Sequence, residues 1–246
     1  MADITTKILY EENIEVLGNK YEFLKDTELS SSAFRKWRYT NTHKLGYESI
    51  KALKIIFIGQ TGYGKSSLIN KLIQKNVFET SDYKSCTKTL QSADFFLHHK
   101  MKHKKIAYHL SFVDLPGIGE NDKADEQYLQ WYKDYIKEAV IIVYLFRADK
   151  RDHTQDEFFF NNVFDKKRGN DLICVIAQAD KIEPINRTEL LSTLQKKNLE
   201  KKKEEIRKKS FLNFGDKINI IYVSSYLTYN MEALEDKIIT KLKDII

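Results

Sequence analysis

An eight-residue segment from Gly59 to Ser66 limits the folds open to this chain. It reads Gly-Gln-Thr-Gly-Tyr-Gly-Lys-Ser and matches the pattern G-x-x-x-x-G-K-[ST] in full. The apolar run Leu53–Ile58 before it is typical of a buried strand, and Ser67–Ile73 after it has the apolar spacing of a helix. Glycines permit a positive φ, so backbone N–H groups and a helix N-terminus can converge on an anion. The segment therefore predicts a phosphate-binding loop between a strand and a helix.

The last two residues of this loop carry its specific chemistry. Lys65 is expected to place a cation on the β- and γ-phosphates of a nucleotide, and the Ser66 hydroxyl is expected to bind Mg²⁺. A second motif, Asp114-Leu115-Pro116-Gly117, follows a predicted β-hairpin. An aspartate at the tip of that strand can hold Mg²⁺ through a water molecule, while the Gly117 amide can meet the γ-phosphate.

Two further strand ends predict how a base is recognised. The apolar run 172–177 ends in Gln178-Ala179-Asp180. A carboxylate there can accept hydrogen bonds from N1–H and the exocyclic amine of guanine, a donor pair that adenine does not offer. The apolar run 220–223 ends in Ser224-Ser225, small residues that would let backbone N–H groups approach the guanine carbonyl. Guanine nucleotides are therefore the expected ligands.

The order of apolar segments predicts an α/β fold. Strands are expected at 53–58, 90–97, 106–113, 140–146, 172–177 and 218–223, and helices near 67–73, 124–138, 154–164 and 188–209 and at the C-terminus. This alternation predicts a mostly parallel six-stranded sheet with one antiparallel edge strand and helices on both faces. Residues 1–50 precede it, and the spacing of Ile14, Leu17, Tyr21 and Leu24 predicts a helical extension. The expected domains are thus 1–50 and a nucleotide-binding domain at 51–246.

Composition excludes several other classes. The longest apolar stretch, Ala139–Phe146, is far shorter than the roughly 20 residues of a membrane-spanning helix. The first residues lack a basic segment followed by an apolar one, which predicts a cytoplasmic protein. Two cysteines, Cys86 and Cys174, are too few for a disulfide framework. A net charge of +6 is mild but compatible with an RNA partner. Acidic residues alternate with the lysines in segment 196–209, which favours a solvated helix. The alternative interpretation is a helix that faces RNA.

Together these motifs resemble the Era-like small GTPases of the translation-factor-related class, a group that includes the 50S ribosome-binding type. The resemblance extends over about 53–246. It implies a P-loop G domain that hydrolyses GTP with Mg²⁺. The implied phosphate-binding residues are Gly62, Tyr63, Gly64, Lys65, Ser66 and Ser67, and the implied base-binding residues are Gln178, Asp180, Ser224 and Ser225. Mg²⁺ would be held by Ser66, Asp114 and a threonine of the first switch segment, Thr87 or alternatively Thr89; Lys65, Thr87 and Gly117 would act in catalysis.

The chain also departs from the family pattern. Ala177 and Gln178 replace the usual Asn-Lys of the base-recognition motif, which leaves only Asp180 of its three signature residues. Ile118 stands where many members carry the glutamine that activates water, which predicts slow intrinsic hydrolysis rescued by a partner, a second subunit or the nucleotide itself. Potassium-activated relatives carry asparagine at the position of Gly62, so no strong potassium dependence is expected.

Three functions remain open from the sequence. The first is a GTP-hydrolysing switch with GTP and GDP as ligands. The second is a module whose assembly or docking, for example as a homodimer, is controlled by nucleotide with negligible hydrolysis. The third is an ATP-dependent P-loop enzyme, which would have no use for the Gln178-Ala179-Asp180 strand end. The partner, whether RNA, ribosome or protein, is not encoded in these motifs.

Overall fold

Strands and helices alternate along most of the chain. The computed structural model describes residues 6–16, 19–29, 49–80, 91–101, 104–118, 122–185, 187, 190–214 and 218–245. The strands of this part are β1 (Thr6–Val16), β2 (Asn19–Leu29), β3 (Ser49–Gly59), β4 (Gln91–Met101), β5 (Lys104–Asp114), β6 (Ile141–Arg147), β7 (Leu172–Ala177) and β8 (Asn219–Tyr222). The α-helices are α1 (Lys65–Leu72), α2 (Asp122–Glu138), α3 (Thr154–Asn162), α4 (Thr193–Arg207) and α5 (Met231–Lys243).

These strands form one sheet in the order β1-β2-β4-β5-β3-β6-β7-β8. Strand β3 pairs in parallel with β5 and β6, and the parallel series continues through β7 to β8. Strand β4 runs antiparallel to β5, as expected for a hairpin. The predicted mostly parallel sheet of six strands, β3 to β8, is therefore confirmed. Its parallel strands all end at the same edge, which brings the predicted motifs to one side of the molecule.

The predicted N-terminal helix is wrong for the residues that the structure describes there. Strands β1 and β2 pair antiparallel, and β2 pairs antiparallel with β4 through Glu22 and Phe23. Strand β4 is consequently not at the edge of the sheet. The sequence carries a turn signal, Gly18-Asn19, between two runs that contain strand-forming Ile, Tyr, Val and Thr, and this local chemistry outweighs a three-and-four spacing. A domain boundary at residue 50 stays a prediction.

Helices cover both faces of the sheet. On one face, α1 and α5 bury apolar side chains that include Leu68, Leu72, Leu234 and Ile238. On the other face, α2, α3 and α4 pack a second apolar cluster. Strand β3 supplies both clusters, because Ile55 and Phe57 lie on one side and Ile56 and Ile58 on the other, all fully buried. A central strand with two covered faces reads as a continuous apolar run, which is why the sequence identified it.

Helix α4 begins later than the sequence predicted. Ser192 accepts a hydrogen bond from the Gln195 N–H, and the Gln195 side chain accepts one from the Ser192 N–H. This reciprocal capping box fixes the first turn at Thr193 rather than at residue 188. Within the described residues, no helix combines the length and the apolarity needed to cross a bilayer.

A buried polar cluster lies between β4 and β5. The Asp94 carboxylate is 2.7 Å from His109 Nε2 and accepts hydrogen bonds from the hydroxyls of Ser92, at 2.8 Å, and Ser111. All four residues are buried. Burial, the largest influence, raises the pKa of Asp94, but the hydrogen bond and charge of His109 and the two serine hydroxyls outweigh it and hold the pKa below its ordinary value.

We expect this carboxylate to make stability depend on pH in the acid range. Its pKa is lower in the folded than in the unfolded chain, where it is about 3.9, so its stabilisation is present above about pH 4 and is lost as the pH falls through the folded value. Urea unfolding between about pH 2.5 and 6 measures this loss. Asp94→Asn is expected to lower the free energy of unfolding at pH 6 and to flatten the acid slope. An unchanged slope in the variant would contradict the assignment.

Candidate nucleotide-binding site

The predicted phosphate loop joins the end of β3 to the start of α1. Gly62 and Gly64 adopt φ values of 78° and 86°, in the left-handed region that glycine tolerates best. Gly64 is the residue that caps the N-terminus of α1, and its carbonyl accepts from the Leu68 N–H at 2.9 Å. The positive end of the helix and its first N–H groups therefore face the loop, which is the arrangement that binds phosphate.

Lys65 is folded onto the loop from which it projects. Its ammonium donates to the carbonyl oxygens of Gly59, at 3.1 Å, and Gln60, at 3.4 Å. The residue is only 6% exposed. These contacts hold a cation against the loop, within reach of an anion bound there.

Ser66 and Asp114 come together as the sequence predicted. The Ser66 hydroxyl donates to Asp114 Oδ2 at 2.5 Å, although 48 residues separate the two, and Asp114 is fully buried. A hydroxyl and a carboxylate are hard oxygen donors, and Mg²⁺ is usually held by one or two such side chains together with substrate phosphates. The pair therefore fits Mg²⁺. The third predicted ligand, Thr87 or its alternative Thr89, lies outside the described residues.

The segment after Asp114 crosses directly over the phosphate loop. The Ile118 N–H donates to the Gly59 carbonyl at 3.3 Å, and the Thr61 N–H donates to the Ile118 carbonyl at 3.4 Å. Gly117 lies in close contact with the loop, since an added Cβ would lie 1.9 Å from Thr61 Oγ1 and 2.6 Å from Thr61 N and Cα. No other residue fits there without moving the backbone.

Ile118 packs into the core. It is 6% exposed and belongs to the apolar cluster that contains Ile56, Ile58 and Tyr132. Ile118, which stands in the position of the family's glutamine, therefore has no polar group in its side chain. Apolar packing holds this side chain in the core.

Gln178 links the base-recognition strand end to the phosphate loop. Its Nε2 donates to the Gly62 carbonyl at 2.8 Å, and its backbone adopts a left-handed φ of 54°. Its Oε1 is buried and has no hydrogen-bond partner among the described residues. Gln178 therefore connects the end of β7 to the phosphate loop through one hydrogen bond.

Asp180 lies at the far end of the site and is 1% exposed. Its Oδ1 accepts from the Ser224 hydroxyl at 2.5 Å, which brings the two predicted base-recognition motifs together. Its Oδ2 accepts from Arg187 Nε at 2.8 Å. Arg187 was not identified from the sequence, because it lies outside any recognisable motif.

A cavity of about 890 Å³ runs past these strand ends. Gly64, Ser67, Gln178, Asp180 and Ser225, all predicted ligand-binding residues, line it. Tyr63 does not, because its side chain is 2% exposed and packs in the core beside α1. Only the backbone of Tyr63 belongs to the loop, where its N–H donates to the Gln60 carbonyl at 3.2 Å.

Asn70 was not identified from the sequence, yet it fixes the segment that leads toward Thr87. From the buried side of α1, its Nδ2 donates to the Phe78 carbonyl at 2.8 Å. Its Oδ1 accepts from the N–H groups of Val77, at 3.0 Å, and Phe78, at 2.9 Å. Three hydrogen bonds from one side chain anchor residues 77–78 to the helix that carries Lys65.

Replacing Asn70 by alanine is expected to destabilise the protein by about 2–4 kcal/mol, because two buried backbone groups of Phe78 and the half-buried Val77 N–H lose their partner. Asn70→Asp keeps both acceptor contacts but sets a buried carboxylate oxygen against the Phe78 carbonyl in place of the donor, so it is expected to destabilise the protein as well. Urea unfolding of the two variants measures both losses. Wild-type stability of either variant would contradict the anchoring role of these contacts.

Comparison with known proteins agrees with this geometry. Residues 54–179 match the sequence model of the family described as 50S ribosome-binding GTPase. The chain is 34% identical over 150 residues to the uncharacterized protein YfjP of Escherichia coli K12, covering 59% of this chain and 48% of YfjP. It is 33% identical over 129 residues to GTPase Era of Buchnera aphidicola, covering 52% of this chain and 40% of Era.

The solved structures agree on the fold. Era in complex with MgGDPNP and a 16S ribosomal RNA fragment superposes with a TM-score of 0.57 at 23% identity, covering 78% of this chain and 57% of that one. The chain spans about half the length of these curated relatives. Since the matched region contains the phosphate loop, the Asp114 motif and most of the base-recognition strand end, the chain belongs to the 50S ribosome-binding GTPase family and is Era-like within it.

Proposed function

We propose that the protein binds GTP together with Mg²⁺, hydrolyses it to GDP and phosphate, and acts as a nucleotide-dependent switch. One observation carries the proposal: the structure brings a buried carboxylate suited to guanine, Asp180, to the same edge as a phosphate loop and a Ser66–Asp114 pair. An ATP-dependent enzyme would gain nothing from Asp180, because adenine does not offer the N–H pair that this carboxylate accepts.

Each residue of the site has its own role in nucleotide binding or hydrolysis. Lys65 and the N-terminus of α1 neutralise and orient the phosphates, which stabilises charge that develops as the terminal phosphoryl group leaves. Ser66, Asp114 and, from its sequence position, Thr87 or alternatively Thr89 would hold Mg²⁺, which would neutralise negative charge on the phosphates. We expect the Gly117 N–H, in the segment that crosses the phosphate loop, to donate to the γ-phosphate. Loss of that contact after hydrolysis would release the segment, which is the basis of a switch.

The intrinsic rate is expected to be slow. Ile118 contributes no group that could orient a water molecule, and its side chain is held in the core. The missing positioning group must come from a second copy of the chain, another partner or the nucleotide. Ile118 is also the residue that favours the alternative, in which nucleotide controls assembly with negligible hydrolysis, so a measurement of turnover must distinguish the two.

Turnover measured across a range of protein concentration tests the proposal. Phosphate release from GTP is followed in Mg²⁺, with Lys65→Ala as the inactive control. The proposal expects GTP turnover that is lost in Lys65→Ala, and turnover per molecule that rises with concentration if a second copy supplies the missing group. Binding of GTP without any turnover, alone or with added partners, would favour the assembly module.

An RNA or ribosomal partner is the second part of the proposal. The Era structure contains 16S ribosomal RNA, and α4 exposes several lysines, among them Lys196, Lys197 and Lys201. A cytoplasmic location and a nucleotide-dependent homodimer stay predictions of the sequence. Binding of a labelled 16S RNA fragment in the presence of GDP and of a non-hydrolysable GTP analogue measures the RNA partner directly.

A further inference from the structure

Arg187 occupies the carboxylate that guanine recognition needs. Its Nε donates to Asp180 Oδ2 at 2.8 Å, while the Ser224 hydroxyl already bonds Oδ1 at 2.5 Å. A guanidinium presents N–H donors in a planar fork, as the N1–H and amino group of guanine do. The arginine therefore satisfies Asp180 with the same kind of donor that the base would bring.

A second contact holds the arginine at this end of the cavity. The guanidinium carbon lies 4.3 Å from the centroid of the Tyr226 ring, which is cation–π distance. Arg187, Tyr226, Asp180 and Gln178 all line the same cavity. Arg187 thus contacts both Asp180 and Tyr226 at the end of the cavity where Asp180 lies.

We propose that Arg187 is an affinity-determining residue of the guanine site, which pairs with Asp180 when the pocket is empty and leaves it when guanine binds. This inference rests on the proposed function, since it presumes that guanine is the ligand. Asp180 is 1% exposed, and a buried carboxylate without a partner is costly. Arg187 removes that free-energy cost in the nucleotide-free protein. It therefore reduces the binding free energy that guanine gains from its contact with Asp180.

The energetic consequence is a competition for one side chain. The pocket accepts guanine only in the fraction of molecules in which Arg187 has left Asp180, and the apparent Kd rises in inverse proportion to that fraction. The Arg187 side chain is 38% exposed, so water screens its ion pair with Asp180. The fraction of molecules in which Arg187 has left Asp180 is therefore not small. We expect removal of the arginine to tighten GDP binding about 3- to 10-fold.

The test compares Arg187→Gln with the wild-type chain by titration with a fluorescent GDP analogue. Arg207→Gln is the matched control, because the Arg207 side chain is 43% exposed and pairs with Glu204 on the outer side of α4. The inference expects the Kd of Arg187→Gln to fall about 3- to 10-fold and that of the control to stay unchanged. Arg187→Lys, which keeps the charge but not the fork, is expected to lie between.

Thermal unfolding supplies a second readout. Without nucleotide, Arg187→Gln is expected to melt at a lower temperature than the wild type, whereas saturating GDP should bring the two together. An unchanged or weaker Kd for Arg187→Gln, with the wild type binding GDP normally, would overturn this inference alone. Failure of the wild type to bind GDP better than Lys65→Ala does would overturn the proposed function and this inference with it.

Discussion

Replacing Asp180 by asparagine is expected to change the base preference from guanine to xanthine. The carboxylate would accept from both N1–H and the amino group of guanine, whereas an asparagine amide offers one acceptor and one donor. That pattern matches xanthine, which has a carbonyl oxygen in place of the amino group. The loss of one charge-assisted hydrogen bond and the clash of two donors are expected to weaken GDP binding about 100-fold.

Competition between GDP and xanthosine diphosphate measures the change in preference. Asp149→Asn is the control, because Asp149 is an aspartate whose side chain, 29% exposed, pairs with Arg147 outside the base site. The control should keep the guanine preference of the wild type. Retention of that preference by Asp180→Asn would mean that Asp180 does not contact the base.

Gly117→Ala is expected to abolish most turnover while sparing GDP binding. The new methyl group would meet Thr61 N and Cα at 2.6 Å, so the two backbones must separate. Separation breaks the paired hydrogen bonds between Ile118 and the phosphate loop, at 3.3 and 3.4 Å. A loss of about 2–3 kcal/mol at the catalytic step corresponds to a fall in kcat of about 30- to 150-fold. Asp180 and Gln178 are untouched, so the Kd for GDP should change little.

Single-turnover hydrolysis and GDP titration separate these two effects. Gly169→Ala is a suitable control, since Gly169 precedes the start of β7 whereas the phosphate loop follows the end of the parallel strand β3, and the nearest atoms to an added Cβ belong to the Phe214 side chain, 3.1 Å away. Adding Thr61→Ala to Gly117→Ala should not rescue turnover, because the clash with the Thr61 backbone persists. Wild-type turnover in Gly117→Ala would contradict the close contact of these segments.

The catalytic edge of the sheet could be predicted because each motif follows a buried parallel strand. Strand ends of this kind meet at one edge, so Ser66 and Asp114, or Asp180 and Ser224, come together although they are far apart in sequence. The glycines of the first motif also indicated the backbone conformation of the loop. Glycine permits a positive φ, and Gly62 and Gly64 both adopt one.

Other features depend on contacts that the sequence pattern does not encode. Arg187 reaches Asp180 from a loop, and its place depends on Tyr226, a residue nearly forty positions later. The spacing predicts a helix where β1 and β2 lie, because a few apolar residues at three-and-four spacing cannot distinguish a helix from an antiparallel hairpin. The side chain of Tyr63 points into the core, although its position in the loop suggested a ligand contact.

The central claim is that this site selects guanine nucleotides through Asp180 and holds their phosphates through Lys65. Calorimetric titration of the wild-type chain and Lys65→Ala with GDP and ADP in Mg²⁺ tests it most directly. We predict that the wild type binds GDP at least about 100-fold more tightly than ADP, and that Lys65→Ala loses most of this affinity. Equal affinity for the two nucleotides, or binding that Lys65→Ala leaves unchanged, would contradict the claim.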